Sequence, residues 1–300
     1  MLVHNQPKEI IVQTPDQRSW FSIMPSFGGR LTNLVLHDEY SETLVLQGFE
    51  GKVETNITYK QAFLIPFANK INNGSFNFQG KQYQLILNDS KQQHSVHGFI
   101  HSVSMNVKEA AYSFIILEYD YKGDYSGYPF SFITTVHYSI HPETGFSCAI
   151  TVKNNCSTDM PLSVGWHPYF FVENNVNDAQ LKLPECNRCI TNEENIPVGL
   201  YQKNEEFLDW KQIENMVMNN CYKTTTPDAL IEIGLRYSDK SLVIWQDADK
   251  FPFFQIYTTP DRRSIAIEPM SGCIDAFNNK DGLLILKPNE EWQGSFGIKL

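Results

Sequence analysis

The chain has 300 residues, of which 42% are hydrophobic and 19% are charged, and its formal net charge at pH 7 is -10. This composition is that of an ordinary globular protein, and the length allows a large core. An acidic chain without a basic run is a poor partner for phosphate backbones, so nucleic-acid binding is not expected. There is no run of about 18 apolar residues that would predict a membrane span. The N-terminus lacks the apolar core of a signal peptide, so the expected compartment is the cytoplasm.

Alternation of apolar and polar residues predicts a first hairpin early in the chain. Phe76 and Phe78 alternate with polar residues, residues 79–81 form a turn around a glycine, and Tyr83 and Leu85 resume the alternation. This pattern is typical of two short antiparallel strands.

A longer pair of alternating segments follows at residues 132–140 and 146–152. The turn-rich residues 141–145 lie between them, which predicts a long antiparallel hairpin. The remaining predicted strands, most of them separated by turn residues, are 19–24, 32–36, 112–119, 230–237, 242–245, 253–257, 283–286 and 292–300.

Helical periodicity is scarce, and the best candidate is residues 205–218. Residues 174–206 are polar and irregular, which predicts long surface loops. No βαβ alternation, internal repeat or proline-rich linker divides the chain. We therefore predict an all-β fold over residues 1–300, a single domain built as a large antiparallel β-sandwich with few short helices.

The six cysteines are scattered along the chain and do not form a compact disulfide framework. Cys186 and Cys189 make one Cys-x-x-Cys motif. A zinc ribbon would need a second such pair, and a thioredoxin-like site would need a βαβ pattern. Free structural thiols are the expectation, with a metal or redox role as the alternative.

Two predicted strands place an ionisable side chain directly before a proline. In residues 161–170 the alternation sets Trp166 on the apolar face and His167 on the opposite face. In residues 264–272 Glu268 likewise opposes an apolar face. The proline removes a backbone donor, so each strand is predicted to end there. A buried histidine bonded to backbone and a solvated glutamate are the plain structural alternatives.

Together, this histidine and this glutamate would make a complementary acid and base. An imidazole titrates at about pH 6.5 when unperturbed, so it can hold or release a proton near neutrality. A carboxyl group in a partly apolar pocket has a raised pKa and becomes a usable base. Such a pair can move protons between two oxygens of one substrate without a metal or cofactor.

Hydrogen-bonding residues flank the first hairpin, with Asn69 and Lys70 before it and His97 after it. Polar groups that bracket a β-scaffold suit a small polyhydroxylated ligand. A metal site at His94, His97 and His101 is the alternative for the histidines. It would need a helix, which Gly98 disfavours, and no carboxylate lies at metal-ligand spacing, so no metal is expected.

Four short segments resemble, in the same order and at comparable spacing, those of the aldose 1-epimerase (galactose mutarotase-like) family. This resemblance implies a large β-sandwich with a sugar bound on the open face of a curved sheet. It also implies cofactor-free interconversion of the α and β anomers of a free aldose. The segments are Asn69-Lys70-Ile71, His97-Gly98, His167-Pro168-Tyr169-Phe170 and Glu268-Pro269.

The resemblance implies roles for single residues. Glu268 would take the proton from the C1 hydroxyl, His167 would protonate the ring oxygen, and His97 would hydrogen-bond the ring oxygen or a neighbouring hydroxyl. Asn69 and Lys70 would bind other hydroxyls.

An aromatic side chain is expected to provide an apolar face for the sugar ring, and Trp166, Tyr169 and Phe67 are the candidates. The substrate-binding aspartate of the family falls near Asn219. The implied partner is a monosaccharide, bound by a monomer or a homodimer.

The sequence departs from the family pattern at three positions. Lys70 replaces the usual arginine and cannot make a bidentate contact, Phe99 replaces a second glycine, and Asn219 replaces the aspartate. These changes leave the sugar undetermined.

Two other functions fit the same scaffold. A hexose-6-phosphate 1-epimerase would need a basic pocket, for which Arg262 and Arg263 are available besides Lys70. A non-catalytic carbohydrate-binding protein would not need a matched acid and base. A glycoside hydrolase is disfavoured, since that chemistry relies on two carboxylates.

Overall fold

The computed structural model describes residues 9–48, 59–226 and 228–300. The helical segments of this part are one α-helix, α1 (Ala276–Asn279), and 3-10 turns at Ile100–Ser102 and Val176–Asp178. No helix among these residues is long and apolar enough to cross a membrane. The strands are β1 (Ile10–Gln13), β2 (Trp20–Met24), β3 (Arg30–His37), β4 (Glu42–Gln47), β5 (Ala62–Leu64), β6 (Lys70–Asn72), β7 (Ser75–Phe78), β8 (Lys81–Gln84), β9 (His94–Val96), β10 (Asn106–Ala110), β11 (Phe114–Tyr121), β12 (Phe132–His141), β13 (Gly145–Asn154), β14 (Met160–Leu162), β15 (Gly165–His167), β16 (Tyr169–Phe171), β17 (Gln180–Lys182), β18 (Cys186–Thr191), β19 (Pro197–Lys203), β20 (Lys211–Gln212), β21 (Asn219–Thr224), β22 (Leu230–Tyr237), β23 (Lys240–Asp247), β24 (Phe253–Thr258), β25 (Ser264–Met270), β26 (Leu284–Leu286) and β27 (Glu291–Lys299).

Two large antiparallel sheets dominate the described residues. The first has 12 strands in the order β1-β2-β3-β4-β16-β25-β24-β21-β18-β19, and β15 joins it by pairing with β25 and β5. The second has nine strands in the order β10-β11-β12-β13-β27-β23-β22-β17-β20. The pairs β6-β9, β7-β8 and β14-β26 complete the fold.

Aromatic side chains join the two sheets. Phe21 of the first sheet meets Phe146 of the second with ring centroids 5.6 Å apart, and Trp166 of the first stacks on Phe296 of the second at 4.7 Å. These side chains are buried in one continuous core. The predicted all-β antiparallel sandwich is therefore confirmed.

The predicted hairpins are also present. β12 and β13 pair without interruption from Phe132 with Asn154 to His141 with Gly145. β7 and β8 pair Phe76 with Tyr83. In both hairpins the apolar residues of the alternation are buried, which is why the period of two located them. Each of the other predicted strands overlaps an observed strand.

The predicted helix at 205–218 is wrong. The segment contains only β20, which pairs with β17 at the end of the nine-stranded sheet. Phe207 and Ile213 are buried, whereas Leu208 and Val217 are exposed, and this spacing does not fit one helical face. Backbone pairing with the sheet overrides the local helical preference here.

The surface loops predicted at 174–206 are partly wrong, because β17, β18 and β19 lie in this stretch. β19 is mostly exposed and shows no alternation, so the pattern gave no strand signal. Exposed outer strands of this kind are recognised only by their pairing partners.

Candidate active site

The sheet register places His167 and Glu268 beside each other. β25 pairs with β15 at Gly165 and Met270, and with β16 at Tyr169 and Ala266. Continued between these two points, the same register sets His167 opposite Glu268, so that both side chains lie on one face.

Both prolines that follow these residues fall in the interruption between the two pairing points. Pro168 separates β15 from β16, as predicted. Pro269 does not end its strand, because β25 continues to Met270 and Pro269 pairs with Phe254 of β24. Since proline has no backbone N–H, Pro168 and Pro269 cannot donate hydrogen bonds between β25 and its neighbours at this interruption.

The two side chains are close together and almost completely buried. His167 Nε2 lies 3.4 Å from Glu268 Oε1, and the side chains are 8% and 2% exposed. The imidazole stacks on the ring of Tyr169 at 4.8 Å with an interplanar angle of 6°. His97 approaches it edge-on at 5.1 Å. The imidazole is therefore held in place from two sides.

Burial shifts the two pKa values in opposite directions. Removal from water raises the pKa of Glu268 well above its ordinary value, because the charged carboxylate is disfavoured. Burial, reinforced by the charge of Arg30, lowers the pKa of His167 to about 3. Both shifts disfavour the charged forms, so burial favours a carboxylic acid beside a neutral imidazole, and in that form the pair carries one exchangeable proton.

His97 reaches the site from a strained turn. His97 and Gly98 have φ angles of 66° and 64°, and the His97 N–H donates to the Asn69 carbonyl at 2.9 Å. A Cβ at position 98 would lie 2.1 Å from the Ile65 carbonyl oxygen, so only glycine fits. Burial lowers the pKa of His97 well below its ordinary value. His97 is thus a neutral imidazole.

A side-chain contact fixes one wall of the site. Lys70 Nζ donates to the Glu194 carbonyl at 2.5 Å. Glu194 belongs to the turn between β18 and β19, in which Asn192 Oδ1 accepts from the Glu194 and Ile196 N–H groups. This turn brings Asn195 to the cavity. Through this turn, Lys70 therefore helps to hold Asn195 at the cavity.

A row of side chains extends from Glu268 across the neighbouring strands. Gln255 of β24 lies opposite Glu268, and its Nε2 donates to Asn219 Oδ1 of β21 at 2.7 Å. Asn219, the predicted counterpart of the family aspartate, therefore lies in the cavity lining. It is held there by its hydrogen bond with the Gln255 amide, a contact that the sequence did not predict.

These residues surround a cavity of about 220 Å³. Four buried polar atoms of its lining have no hydrogen-bond partner: His97 Nδ1, His167 Nδ1, Gln255 Oε1 and Glu268 Oε2. Unpartnered buried polar atoms are costly, so the cavity suits a ligand rich in hydroxyl groups. The predicted residues in the lining are Asn69, Lys70, His97, His167, Asn219 and Glu268, and the others are Tyr59, Val96, Tyr169, Asn195, Gln255, Tyr257 and Ile274.

Trp166 does not line this cavity, which corrects the expectation of a substrate contact. It is 0% exposed and stacks on Phe296 and Phe146 in the core. The reason is the alternation itself, since the neighbour of His167 must point to the other face. Tyr169 provides the aromatic surface instead. Phe67 lines a separate cavity of about 310 Å³.

Some lining residues that the sequence did not predict could have been found from strand alternation, and others could not. Gln255 and Tyr257 lie two apart on the predicted strand 253–257, so alternation could have placed them on a common face. Tyr59 and Asn195 lie outside regular alternation and carry no comparable signal. Among residues 9–48, 59–226 and 228–300, no group of three or more His, Cys, Asp or Glu is arranged to hold a metal ion.

Comparison with known families agrees with this geometry. A family model described as aldose 1-epimerase matches residues 17–299. The chain belongs to this family. It is also 28% identical over 239 residues to the uncharacterized protein YihR of Escherichia coli K12, an alignment that covers 78% of this chain and 77% of that protein.

Solved structures share the fold. A galactose mutarotase-like protein of Clostridium acetobutylicum aligns with a TM-score of 0.83 at 21% identity, over 94% of this chain and 92% of that one. The GalM/aldose epimerase homologue of C. elegans gives 0.83 at 18% identity, over 97% and 98%. Galactose 1-epimerase of Lactobacillus acidophilus NCFM gives 0.77 at 13% identity, over 98% and 99%.

Proposed function

We propose that this member of the aldose 1-epimerase family interconverts the α and β anomers of a free aldose. The observation that carries the proposal is the His167–Glu268 pair, a buried imidazole and carboxyl 3.4 Å apart in a cavity with unpartnered polar atoms. Family membership supports the same reaction class.

Ring opening uses the charged form of the pair. The Glu268 carboxylate takes the C1 hydroxyl proton while the His167 imidazolium protonates the ring oxygen, and the bond from C1 to the ring oxygen breaks. The products are the open-chain aldehyde, a neutral carboxylic acid and a neutral imidazole. Rotation about C1–C2 followed by the reverse transfers closes the ring on the other face.

Burial of the pair favours the protonation state that follows ring opening. The neutral pair left by ring opening is the form that burial favours. The charged form is reached by moving one proton between His167 and Glu268. No proton has to be exchanged with solvent, so the pair can serve both directions.

The other cavity residues would bind and orient the sugar. His97 faces His167 and can donate to the ring oxygen or a neighbouring hydroxyl. Asn69, Asn195 and Asn219 line the cavity as hydroxyl partners. Tyr169 offers an apolar ring face.

The charge at the cavity argues against a hexose 6-phosphate. Lys70 is the only lysine or arginine of the lining among the described residues, and its ammonium already donates to the Glu194 carbonyl. Arg262 donates to Asn177 Oδ1 and to the Met216 and Glu214 carbonyls, away from the cavity. A phosphate would thus find one ammonium in the described lining, with one of its three protons already donated, and no arginine.

Polarimetry of freshly dissolved α-D-glucose and α-D-galactose, with and without the purified protein, tests the proposal. We expect faster equilibration of at least one sugar and loss of that acceleration with Glu268→Gln. Equal rates for the wild type and this variant would reject the acid–base pair. Acceleration confined to hexose 6-phosphates would favour the phosphate alternative, and binding without acceleration would favour a carbohydrate-binding protein.

A further inference from the structure

Three cysteines form a cluster on the same face of the 12-stranded sheet as the cavity. Cys186 and Cys189 of the Cys-x-x-Cys motif are three residues apart on β18, so they point to opposite faces. Cys186 lies in the main core, whereas Cys189 packs in a smaller cluster with Cys221 and Cys273. The motif itself is therefore not a pair, and its second cysteine has other partners.

The cluster continues the row of residues that contains the acid–base pair. Cys221 of β21 pairs with Gln255, which pairs with Glu268. The register between β18 and β21, which aligns Arg188 with Tyr222, sets Cys189 opposite Cys221. The cysteine cluster and the cavity are therefore adjacent on one face of the sheet.

Cys273 is the centre of the cluster. Its Sγ lies 3.6 Å from Cys189 Sγ, and Cys221 packs in the same buried cluster. The Tyr201 hydroxyl lies 3.7 Å from Cys273 Sγ and donates its proton to the closer Asp281 Oδ2. The neighbouring thiols of Cys189 and Cys221 lower the pKa of Cys273, whereas burial and the charge of Asp281 raise it. Tyr201 is 38% exposed, so the cluster lies one side chain below the surface.

We propose that Cys273 and Cys189 are an oxidation site at which hydrogen peroxide forms an internal disulfide. The Cys273 thiolate attacks one peroxide oxygen, which gives a sulfenic acid and releases hydroxide that is protonated to water. The Cys189 sulfur then attacks the Cys273 sulfur, and the thiol proton of Cys189 passes to the displaced hydroxide, which leaves as the second water. In total, two thiols and one peroxide become one disulfide and two waters.

The disulfide would act next to the sugar cavity. A disulfide bond is about 2.05 Å long, so closing the 3.6 Å gap between the sulfurs draws Cys273 towards β18. The next residue, Ile274, lines the cavity. The modification does not depend on the proposed sugar chemistry, since it needs only the thiols and the oxidant.

Cys156 provides an internal control. It is more exposed than any cysteine of the cluster, and its sulfur contacts only the side chain and carbonyl of Ser131 among hydrogen-bond partners in the described residues. If exposure alone governed oxidation, Cys156 would react first. If the cluster geometry governs it, Cys273 and Cys189 react first.

Peptide mapping decides between these outcomes, because trypsin places every cysteine of this chain on a separate peptide. The reduced full-length protein is treated with hydrogen peroxide, alkylated with N-ethylmaleimide and digested without reductant. We expect a linked species of peptides 189–203 and 264–280, an intact mass lower by about 2 Da before alkylation, and reversal by dithiothreitol. Recovery of both peptides as alkylated monomers while Cys156 is oxidised would overturn the proposal.

Matched variants test the pairing. With Cys221→Ser the 189–203 to 264–280 link should persist. With Cys189→Ser that link is lost and Cys273 advances to sulfinic acid or links to Cys221 instead. A wild-type link between 212–223 and 264–280 in place of the expected one would overturn the assignment of Cys189. The wild-type map remains decisive if a variant does not fold.

Discussion

The floor and the rim of the cavity are built in different ways. On the floor, His167 and Glu268 face each other because of the register of two buried strands and the face that each residue occupies. On the rim, Asn195 lies in a turn that the Asn192 side chain holds, and Lys70, from a distant part of the chain, joins that turn to the site through one hydrogen bond. The floor is thus fixed by the backbone, and the rim by side chains. We infer that the reaction is the robust property of this site and that sugar selectivity is the adjustable one.

Removing the base should have the largest effect on rate. Glu268→Gln keeps the shape of the side chain but cannot accept the C1 proton. We expect kcat to fall at least about 10²-fold, the scale of lost general acid–base catalysis, with little change in KM. Polarimetric initial rates measure both constants. A variant that retains more than about a tenth of the wild-type kcat would contradict the role of Glu268.

The pH profile tests how the pair shares its proton. Because the pKa of His167 is lowered to about 3, the pair should keep a single proton on the acid side, and kcat/KM should stay level from about pH 7 to about pH 5. Because the pKa of Glu268 is raised, activity should fall on the alkaline side as the pair loses that proton.

The profile is measured by polarimetry, with the spontaneous rate subtracted at each pH. Circular dichroism at the lowest pH checks that the protein is still folded. An acid limb with its midpoint near 6.5, where a solvated imidazole titrates, would show that His167 is not the neutral partner described above.

Loss of the Lys70 contact at the rim should raise KM more than it lowers kcat. Lys70→Met removes the ammonium that holds Glu194 and Asn195 but keeps an unbranched apolar side chain. Loss of a charge-assisted hydrogen bond predicts a rise in KM of about tenfold, with kcat within about threefold of wild type. Lys81→Met, on the exposed turn of the first hairpin, is the matched control and should change neither constant. A kcat that falls as far as with Glu268→Gln would remove the distinction between floor and rim.

The smallest effect on the reaction is expected at Trp166, although it adjoins His167. Trp166→Ala empties a fully buried position and should lower the free energy of unfolding by about 3–5 kcal/mol. Below the melting temperature of the variant, KM should stay within about threefold of wild type. Denaturant unfolding and polarimetry on the same preparation measure the two effects. A large rise in KM without loss of stability would restore Trp166 as a substrate contact.

The contrast between floor and rim also explains what the sequence could predict. Alternation and a following proline marked His167 and Glu268, because strand geometry is encoded locally. Asn195 could not be found this way, since its position depends on a contact between residues 124 positions apart in the chain. The helix predicted at 205–218 failed for the same reason, as pairing with β17 decided its structure.

The shared register of β15, β16 and β25 has a consequence for protein engineering. Because side chains alternate between faces, deleting or inserting one residue in β25 beside Glu268 would turn that carboxyl into the core while leaving the strand able to pair. These strands must therefore be kept together, without insertions, when the scaffold is grafted or recombined. The turn at residues 192–196 lies outside these strands, so its residues other than Asn192, whose side chain holds the turn, are the natural positions for libraries that seek acceptance of a different sugar.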